Sequence, residues 1–467
     1  MKASKPISPF RLCSLLRREK NPNLALQIFR NPNPDSNPPP GKLFRYSLLS
    51  YDLIITKLGR AKMFDQMEQI LHQMKQETRF APPEIIFCNV ISFYGRARLP
   101  DRALQVFDEI PAFRCQRTVK SLNSLLDVLF KCGEFEKMSR LFVGFENYAT
   151  PDACTYNILI KACCANECLD DAWKVFDEMS RKGVHPTTVT FGTLIYWLCS
   201  NFRLKEAFKL KYDMVVIHDV VPDQYVYTSL IKGLCEIGEM TSAFELKEEM
   251  VMKKIKPDSA VYSTLISGLF NAGRKELVSG LLEEMSEYGC KPDTVTFNAM
   301  IHGLCKEKNF EAAYRVLDEM TEKDCEPDVI SYNVIIGGLC KDGKWREAND
   351  LLGDLPRRGC TPDVVSYRTM FDGLCDWRQF NEASLVLDEM IFKGFAPRLA
   401  STQKLVEGLC EAANAGLLGT VLTSLGKGKG NFLHVDIWGM LVDMVCKKEK
   451  LSNVSELVDN LVKQCCN

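Results

Sequence analysis

Apolar residues recur along most of the chain in one helical pattern. In one segment they are Tyr332, Ile335, Ile336 and Leu339, with the spacing i, i+3, i+4 and i+7. This spacing aligns the apolar side chains in a single stripe along a helix. A polar and glycine break follows at 341–343, and a second apolar stripe begins at Ala348. The pattern therefore predicts pairs of short amphipathic helices that are joined by tight turns.

The helix pair is repeated with a period of 35 or 36 residues. Proline marks this period at Pro151, Pro186, Pro222, Pro257, Pro292, Pro327, Pro362 and Pro397. Cysteine keeps the same period at Cys164, Cys199, Cys235, Cys305, Cys340, Cys375 and Cys410. A helix pair of this size cannot bury its apolar stripe alone, so neighbouring pairs must stack on one another. We expect an all-α fold, namely a right-handed α-solenoid of stacked helix-turn-helix repeats of about 35 residues.

From residue 119 to residue 398, each repeat is taken to end at the residue that follows one of these prolines, and the same length is extended to both sides. Positions are counted from the first residue of a repeat. The predicted repeats are 48–83, 84–118, 119–152, 153–187, 188–223, 224–258, 259–293, 294–328, 329–363 and 364–398, followed by degenerate repeats at 399–434 and 435–467. Atypical end repeats are expected in an array because one of their faces is open to water. Residues 1–47 are interpreted as a targeting segment, a degenerate N-terminal repeat or both, with a Pro/Asn-rich linker at 31–41.

Composition and charge limit the classes of function that the chain can have. The chain has 467 residues with 59 Lys and Arg against 60 Asp and Glu, so any basic surface for nucleic acid must be local. No apolar run approaches the ~20 residues of a membrane span. The 20 cysteines include no C-x-x-C pair. No catalytic set is visible, and we expect no metal, no cofactor, no small-molecule substrate and no enzyme activity.

The residue pattern resembles the plain (P-class) pentatricopeptide repeat of plant organellar proteins. The resemblance is carried by VISYNVIIGGLCKDGKWREA at 329–348 and by the repeat end CEPD at 325–328. It covers about residues 48–467 and is strongest between 119 and 398. It implies a protein that binds single-stranded RNA and acts in the stabilisation, processing, splicing or translation of organellar transcripts, with other RNA-processing proteins as further partners. The alternative is a helical-repeat scaffold that binds proteins and not RNA.

The first 20 residues carry six basic side chains and one acidic one, which is typical of an organellar transit peptide. We expect a mitochondrial location, with the chloroplast as the alternative. The same segment could instead be the first helix of the fold.

In the family that the sequence resembles, position 5 and the last residue of a repeat together select one base. The candidate base-selecting residues are Asn123, Asp152, Asn157, Thr187, Asp223, Thr228, Asp258, Ser263, Asp293, Asn298, Asp328, Asn333 and Asp363. Asn at position 5 suits a pyrimidine, whereas Thr or Ser leaves room for a purine. A carboxylate at the last position accepts the ring N–H of U or G. Repeats 119–152 to 329–363 then predict the core site 5′-UYNGGUU-3′, whose third base is undefined because position 5 of that repeat is Gly192.

Two further rows of residues complete the predicted site. The base-flanking residues at position 2 are Val189, Tyr225, Ala260, Val295, Ile330 and Val365. The phosphate-contacting residues at position 13 are Lys131, Lys306 and Lys341. Each of the three predicted sets of residues has a structural alternative. The Asp residues could serve as helix caps alone, the apolar residues could serve only to pack between repeats, and the lysines could be ordinary solvated residues at helix ends.

Overall fold

The computed structural model describes residues 7–32, 44–144, 150–412 and 414–427, together with Gly439. Within these residues every regular element is a helix. The chain divides into two compact units, Met1–Val226 and Tyr227–Asn467.

The first unit is a series of helix pairs. Its helices are α1 (Pro9–Arg18), α2 (Pro22–Arg30), α3 (Leu48–Arg60), α4 (Phe64–Gln76), α5 (Glu84–Arg96), α6 (Pro100–Glu109), α7 (Val119–Cys132), α8 (Phe135–Gly144), α9 (Ala153–Ala165), α10 (Leu169–Arg181), α11 (Thr188–Ser200) and α12 (Leu204–Val216). Each odd-numbered helix packs against the next odd-numbered helix, as in α5 with α7 and α9 with α11, and against its own even-numbered partner. We call the odd-numbered helices from α3 onward the first helices and their partners the second helices.

The second unit repeats this arrangement, and the boundary between the units lies inside α13. Its helices are α13 (Gln224–Glu236), α14 (Met240–Met252), α15 (Ser259–Asn271), α16 (Val278–Glu287), α17 (Thr294–Lys306), α18 (Phe310–Glu322), α19 (Val329–Lys341), α20 (Trp345–Asp354), α21 (Val364–Asp376), α22 (Phe380–Phe392), α23 (Leu399–Glu411) and α24 (Ala415–Lys427). First helices again pack on first helices, from α15 through α23. The predicted all-α fold of stacked helix pairs, an α-solenoid, is confirmed in each unit.

Residues in the left-handed backbone conformation form the turns between paired helices. At position 15 the chain has a positive φ, and the residue is glycine at Gly133, Gly238, Gly273 and Gly343. Glycine adopts this conformation without the steric penalty that a Cβ brings, and it ends helices for the same reason. Other repeats place a polar residue there, such as Lys308 with a φ of 61°. The turn reverses the chain after four turns of helix, which makes the two helices of a repeat antiparallel.

The apolar stripes form the core. Tyr332, Ile335, Ile336 and Leu339 are all buried, and so is the alanine of the second helix, Ala348. The periodic cysteines are buried free thiols. Three glycines at position 10 pack on the cysteine at position 12 of the preceding repeat: a Cβ added at Gly268 would lie 2.8 Å from Cβ of Cys235, one at Gly338 2.7 Å from Cβ of Cys305, and one at Gly373 2.6 Å from Cβ of Cys340. The Gly-Leu-Cys sequence is therefore a close contact between neighbouring first helices.

Helices α1 and α2 pack against α3 through buried Leu12, Leu16 and Phe29. Most of the Pro/Asn-rich linker and most of the predicted repeat 435–467 lie outside the described residues. The repeat boundaries stay predictions. Among the described residues, no helix combines the length and hydrophobicity that a transmembrane span requires.

Candidate nucleic-acid interface

The predicted base-selecting residues meet at the N-terminal ends of the first helices. The Asn123 amide nitrogen donates to Asp152 Oδ1 at 3.1 Å, and the Asn333 amide nitrogen donates to Asp363 Oδ1 at 3.3 Å. The Asn157 amide nitrogen lies 3.3 Å from the hydroxyl of Thr187. The structure thus joins position 5 of three repeats to the last residue of the same repeat, about one period later in the chain.

The last residue of a repeat is also the N-cap of the next first helix. Asp152 Oδ1 accepts the backbone N–H of Thr155 at 2.8 Å, and Asp328 Oδ1 accepts that of Ser331 at 2.9 Å. Asp363 Oδ1 accepts that of Ser366, also at 2.9 Å. A carboxylate in this position satisfies backbone donors that the helix leaves unpaired. The structural alternative of helix capping is therefore realised in all three, and Asp152 and Asp363 also contact position 5.

The two carboxylate oxygens of these caps have different surroundings. The hydrogen bonds that Asp152, Asp328 and Asp363 accept from the described residues all reach Oδ1. No hydrogen bond from the described residues reaches Oδ2 of these three side chains. The protein thus holds each side chain in place through one oxygen.

Hydrogen bonding keeps the carboxyl groups of Asp152 and Asp363 ionised. Burial alone would raise the pKa of Asp152, but the hydrogen bonds from the Thr155 N–H and the Asn123 amide outweigh it and hold the pKa below the ordinary value. Burial likewise raises the pKa of Asp363, and the hydrogen bonds from Ser366 and Asn333 lower it further than burial raises it. Both groups are therefore hydrogen-bond acceptors at neutral pH.

Other predicted pairs do not form the same contact. Asn298 makes no hydrogen bond to Asp328 among the described residues, and the amide oxygens of Asn298 and Asn333 are buried without a partner there. Ser263 donates to the backbone oxygen of Ser259 at 2.5 Å and not to Asp293.

The remaining members lie at the same helix ends. Asp258 caps α15 by accepting the N–H groups of Ala260 and Val261, both at 3.1 Å, and Thr228 is half-buried. Asp293 caps α17 through the N–H of Thr296 at 3.0 Å. The predicted base-selecting residues thus lie near the N-terminal ends of the first helices in each of these repeats, and their hydrogen-bond partners differ from repeat to repeat.

The position-2 residues form an exposed apolar row beside the polar pairs. Val189 is 61% exposed, Val295 58% and Ile330 57%, and Tyr225, Ala260 and Val365 are also exposed. An apolar side chain at such a repeated, solvent-facing place is not needed for the core. Leu49 and Ile85 are exposed at the same position of earlier repeats and extend the row; their unit position is the signal that could have found them.

The three predicted phosphate-contacting lysines are exposed, and two of them have protein partners. Lys131 Nζ lies 2.6 Å from Asp127 Oδ2, and Lys306 Nζ lies 2.7 Å from Asn271 Oδ1. Partial removal of the His302 imidazole from water lowers its pKa, and the charges of Lys341 and Lys306 lower it further. Lys306 and Lys341 therefore form a local positive region in a chain whose net charge is −1.

Contacts of two further repeats were not visible in the sequence pattern. Repeat 84–118 begins with Glu84, whose carboxylate accepts the Thr118 N–H at 2.6 Å and so supports the start of α7 one repeat later. In repeat 364–398, Arg368 donates to the backbone oxygen of Ala396 at 2.8 Å, and Arg398 pairs with Asp372. The sequence assigned no base to either repeat.

Within the described residues, no group of three or more His, Cys, Asp or Glu side chains is placed to hold a metal ion. The polar pairs, the exposed apolar row and the stacked helices together define a helical-repeat protein of the α-solenoid class.

The comparison with family models identifies the family. A model described as the PPR repeat family matches residues 151–200, 186–236, 222–271, 258–306, 292–341 and 327–376. A model described as the PPR repeat matches residues 85–115, 120–145 and 365–395. These matches cover more than half of the chain, and the chain belongs to the pentatricopeptide repeat (PPR) family.

Named relatives agree with this assignment. A protein of Arabidopsis thaliana that is named as pentatricopeptide repeat-containing is 54% identical over 256 residues, which is 55% of this chain and 54% of the relative. A mitochondrial pentatricopeptide repeat-containing protein of the same plant is 30% identical over 205 residues, or 43% of this chain and 48% of the relative. The chain thus spans about half the length of the curated relatives it matches. The solved structure of PPR10 in complex with an 18-nucleotide psaJ RNA element is 20% identical, with a TM-score of 0.46, and the match covers 89% of this chain and 64% of that one.

Proposed function

We propose that this chain is a non-catalytic, sequence-selective binder of single-stranded RNA that reads one base per repeat. The observation that carries the proposal is the repeated pair of position 5 and the last residue, in which the capping carboxylate keeps one oxygen for a ligand. A helix cap alone would not need a polar partner at position 5 of the preceding first helix. The pair is therefore better explained by recognition than by capping.

Ionised carboxylates favour bases that carry a ring N–H. Hydrogen bonds hold the pKa of Asp152 and of Asp363 below the ordinary value, so each remains an acceptor at neutral pH. Uracil and guanine offer a ring N–H at the edge where cytosine and adenine offer a lone pair. Asn at position 5 reaches the smaller pyrimidine ring, and Thr228 or Ser263 leaves room for a purine. Repeats 119–152 to 329–363 then select 5′-UYNGGUU-3′ in the direction of the chain.

The neighbouring features fit the same ligand. Val189, Val295 and Ile330 are exposed beside the polar pairs, where they would flank the faces of the bases. The buried amide oxygens of Asn298 and Asn333 lack a partner among the described residues. An unpaired buried acceptor costs about 1–3 kcal/mol. A base that turned these amides outward would remove that cost.

We further propose that the RNA targets are organellar transcripts and that the protein acts by occupying its site. Bound protein would block exonucleases or change the RNA structure that splicing, end processing or translation requires. Several relatives are named as mitochondrial. Together with the basic first 20 residues, these names favour the mitochondrion over the chloroplast.

The direct test is selection of bound RNA from a random single-stranded library. The wild-type chain should enrich a GGUU-containing core over scrambled sequence. Asp258→Asn should move the preference at the fourth nucleotide from G toward A, since an amide donates to the lone pair that adenine presents. Asn is also a good N-cap, so the start of α15 should be kept.

The fifth nucleotide is the internal control, because its predicted readers Ser263 and Asp293 are unchanged in this variant. An unaltered preference at the fourth nucleotide would contradict the assignment of base-selecting residues. Absence of any enriched RNA would contradict RNA binding itself and would favour a protein-binding scaffold.

A further inference from the structure

We propose that repeat 188–223 holds its nucleotide by stacking on Tyr225 and Tyr196 and accepts any of the four bases. This inference rests on the proposed RNA-binding function. It assigns a role to the third nucleotide, whose repeat lies between those of Asn157/Thr187 and Thr228/Asp258 and lacks a complete polar pair. The repeat has glycine at position 5, so Asp223 has no side-chain partner there.

The ring of Tyr225 takes the place that a position-5 side chain would fill. A Cβ added at Gly192 would lie 2.9 Å from Cδ1 and 3.3 Å from Cε1 of Tyr225. No residue other than glycine fits at position 192 while Tyr225 keeps this orientation. Gly192 and Tyr225 are therefore one arrangement, in which an aromatic face replaces a hydrogen-bonding side chain.

Tyr196 extends this aromatic face by one helical turn. It lies four residues after Gly192 on α11, and its ring is stacked with that of Tyr225, with centroids 6.1 Å apart and an interplanar angle of 27°. Tyr196 is 41% exposed and Tyr225 51% exposed, so both rings present area to solvent. We call these two residues the tyrosine pair.

The tyrosine pair lies in the same cavity as the neighbouring predicted readers. A cavity of about 970 Å³ is lined by the tyrosine pair, by Asn157 and Thr187 of the preceding step, and by Asp223. Lys161 also lines it and supplies a positive charge. The aromatic surface is thus continuous with the polar pair of the preceding repeat, which identifies its ligand as a base of the same RNA strand.

Stacking gives affinity without base selection. Every base has a π face, and stacking on an aromatic side chain contributes about 1–3 kcal/mol per base. Asp223 Oδ1 accepts the N–H of Val226 at 3.0 Å as a helix cap, and glycine leaves it without the position-5 partner that selection requires. The third nucleotide should therefore strengthen binding while its identity matters little.

The first experiment measures binding of the full chain to 5′-UCNGGUU-3′ oligonucleotides. The four bases at the third nucleotide should bind within about threefold of one another, while an abasic third nucleotide should weaken binding about tenfold, within the range that stacking supplies. Tyr225→Ala should abolish most of that abasic penalty. Tyr212→Ala is the matched control, because Tyr212 is an exposed tyrosine on the second helix α12.

Three outcomes would overturn the inference. The first is a preference above about fivefold among the four bases at the third nucleotide, and the second is an abasic nucleotide that binds as well as a normal one. The third is an equal loss of affinity in Tyr225→Ala and Tyr212→Ala. In all three the GGUU core still binds better than scrambled RNA, so the proposed function stands. If no oligonucleotide binds better than scrambled RNA, the proposed function fails and this inference fails with it.

The second experiment is designed to make repeat 188–223 selective for one base. Gly192→Asn with Tyr225→Val recreates the Asn/Asp combination of repeat 294–328 and gives repeat 224–258 the apolar position 2 that other repeats have, so the double variant should prefer U at the third nucleotide. Gly192→Asn alone should lower the unfolding temperature, because its Cβ meets the Tyr225 ring. A double variant that folds, binds the GGUU core and still accepts every third base would contradict the inference.

Discussion

At the scale of single residues, the proposed function gives the last residue of a repeat two roles, one for each of its carboxylate oxygens. In Asp363, Oδ1 accepts the N–H groups of Val365 and Ser366, at 3.0 and 2.9 Å, and also contacts Asn333. The protein thereby fixes the direction of Oδ2, which accepts no hydrogen bond from the described residues. The proposed recognition needs no additional residue, because the cap that starts α21 is already oriented by the helix.

The lowered pKa of Asp363 predicts how stability depends on pH. Burial raises the pKa and the hydrogen bonds lower it more, so the folded-state pKa lies below the ordinary value of 3.8. The unfolded chain then binds more protons in this range, and stability rises with pH. The contribution of the carboxylate should be complete above the unfolded-state pKa and should be lost as the pH falls through the lower folded-state value.

Urea unfolding of the wild type and of Asp363→Asn between pH 3 and 6 measures this effect. The stability difference should be constant at the upper end of the range and should shrink toward pH 3. Asp363→Ala is the control that removes the cap at every pH, at a cost of about 1 kcal/mol. A difference that grew as the pH fell would contradict the lowered pKa.

At the scale of helices, close contacts between glycine and cysteine set how near the first helices approach. Gly338 on α19 packs on Cys305 of α17, and Gly373 on α21 packs on Cys340 of α19. A side chain at either glycine would meet its neighbour below 3 Å. The small residue is required by its neighbour in the next repeat and not by the conformation of its own helix.

Gly338→Ala should destabilise the chain, and Gly353→Ala should not. The new methyl group at 338 would lie 2.7 Å from Cβ of Cys305, and such overpacking typically costs about 1–3 kcal/mol. Gly353 lies in the same repeat, on the exposed side of α20, with no heavy atom within 4 Å of an added Cβ. Alanine is the better helix former there, by up to about 1 kcal/mol.

Thermal unfolding of the two variants is the measurement. Equal unfolding temperatures for the two variants would show that the contact between α17 and α19 is looser than described.

The sequence period predicts these helices well, since a stripe such as Tyr332 and Ile335 has to be buried in any stacked array. It also places Asp328 and Asp363 at repeat ends. It does not predict that Glu84 supports the start of α7, because this contact joins two repeats and follows no local spacing. Nor does it predict that the ring of Tyr225 covers Gly192, because this depends on the distance between neighbouring helices.

At the scale of the whole molecule, charge balance limits how strongly phosphates can contribute. The chain has 59 Lys and Arg against 60 Asp and Glu, and Lys131 is already paired with Asp127. If the proposed function holds, affinity for RNA must come mainly from bases, through stacking and hydrogen bonds. The chain would then differ from nucleic-acid binders whose affinity is mainly electrostatic.

The affinity for RNA should accordingly depend only moderately on salt. If Lys131, Lys306 and Lys341 each neutralise one phosphate, a plot of log K against log salt should have a slope of about −2 for a single strand. Lys341→Gln should make this slope shallower by about 0.7, because one fewer counterion is released. Lys323→Gln is the matched control, since Lys323 follows the second helix α18 and pairs with Glu319 at 2.6 Å.

Titration of the binding constant from 50 to 300 mM salt, as a rough range, gives both slopes. A wild-type slope near zero, or equal changes in the two variants, would remove Lys341 from the phosphate contacts.

The double use of the repeat-end carboxylate also restricts which sequences such an array can be made to read. Only short side chains with an oxygen near the backbone, those of Asp, Asn, Ser and Thr, start a helix well. Any change of target introduced at this place has to be chosen from these four residues. A wider choice of residues for reprogramming the protein has to come from position 5, on the second turn of the first helix of the same repeat, where no such restriction applies.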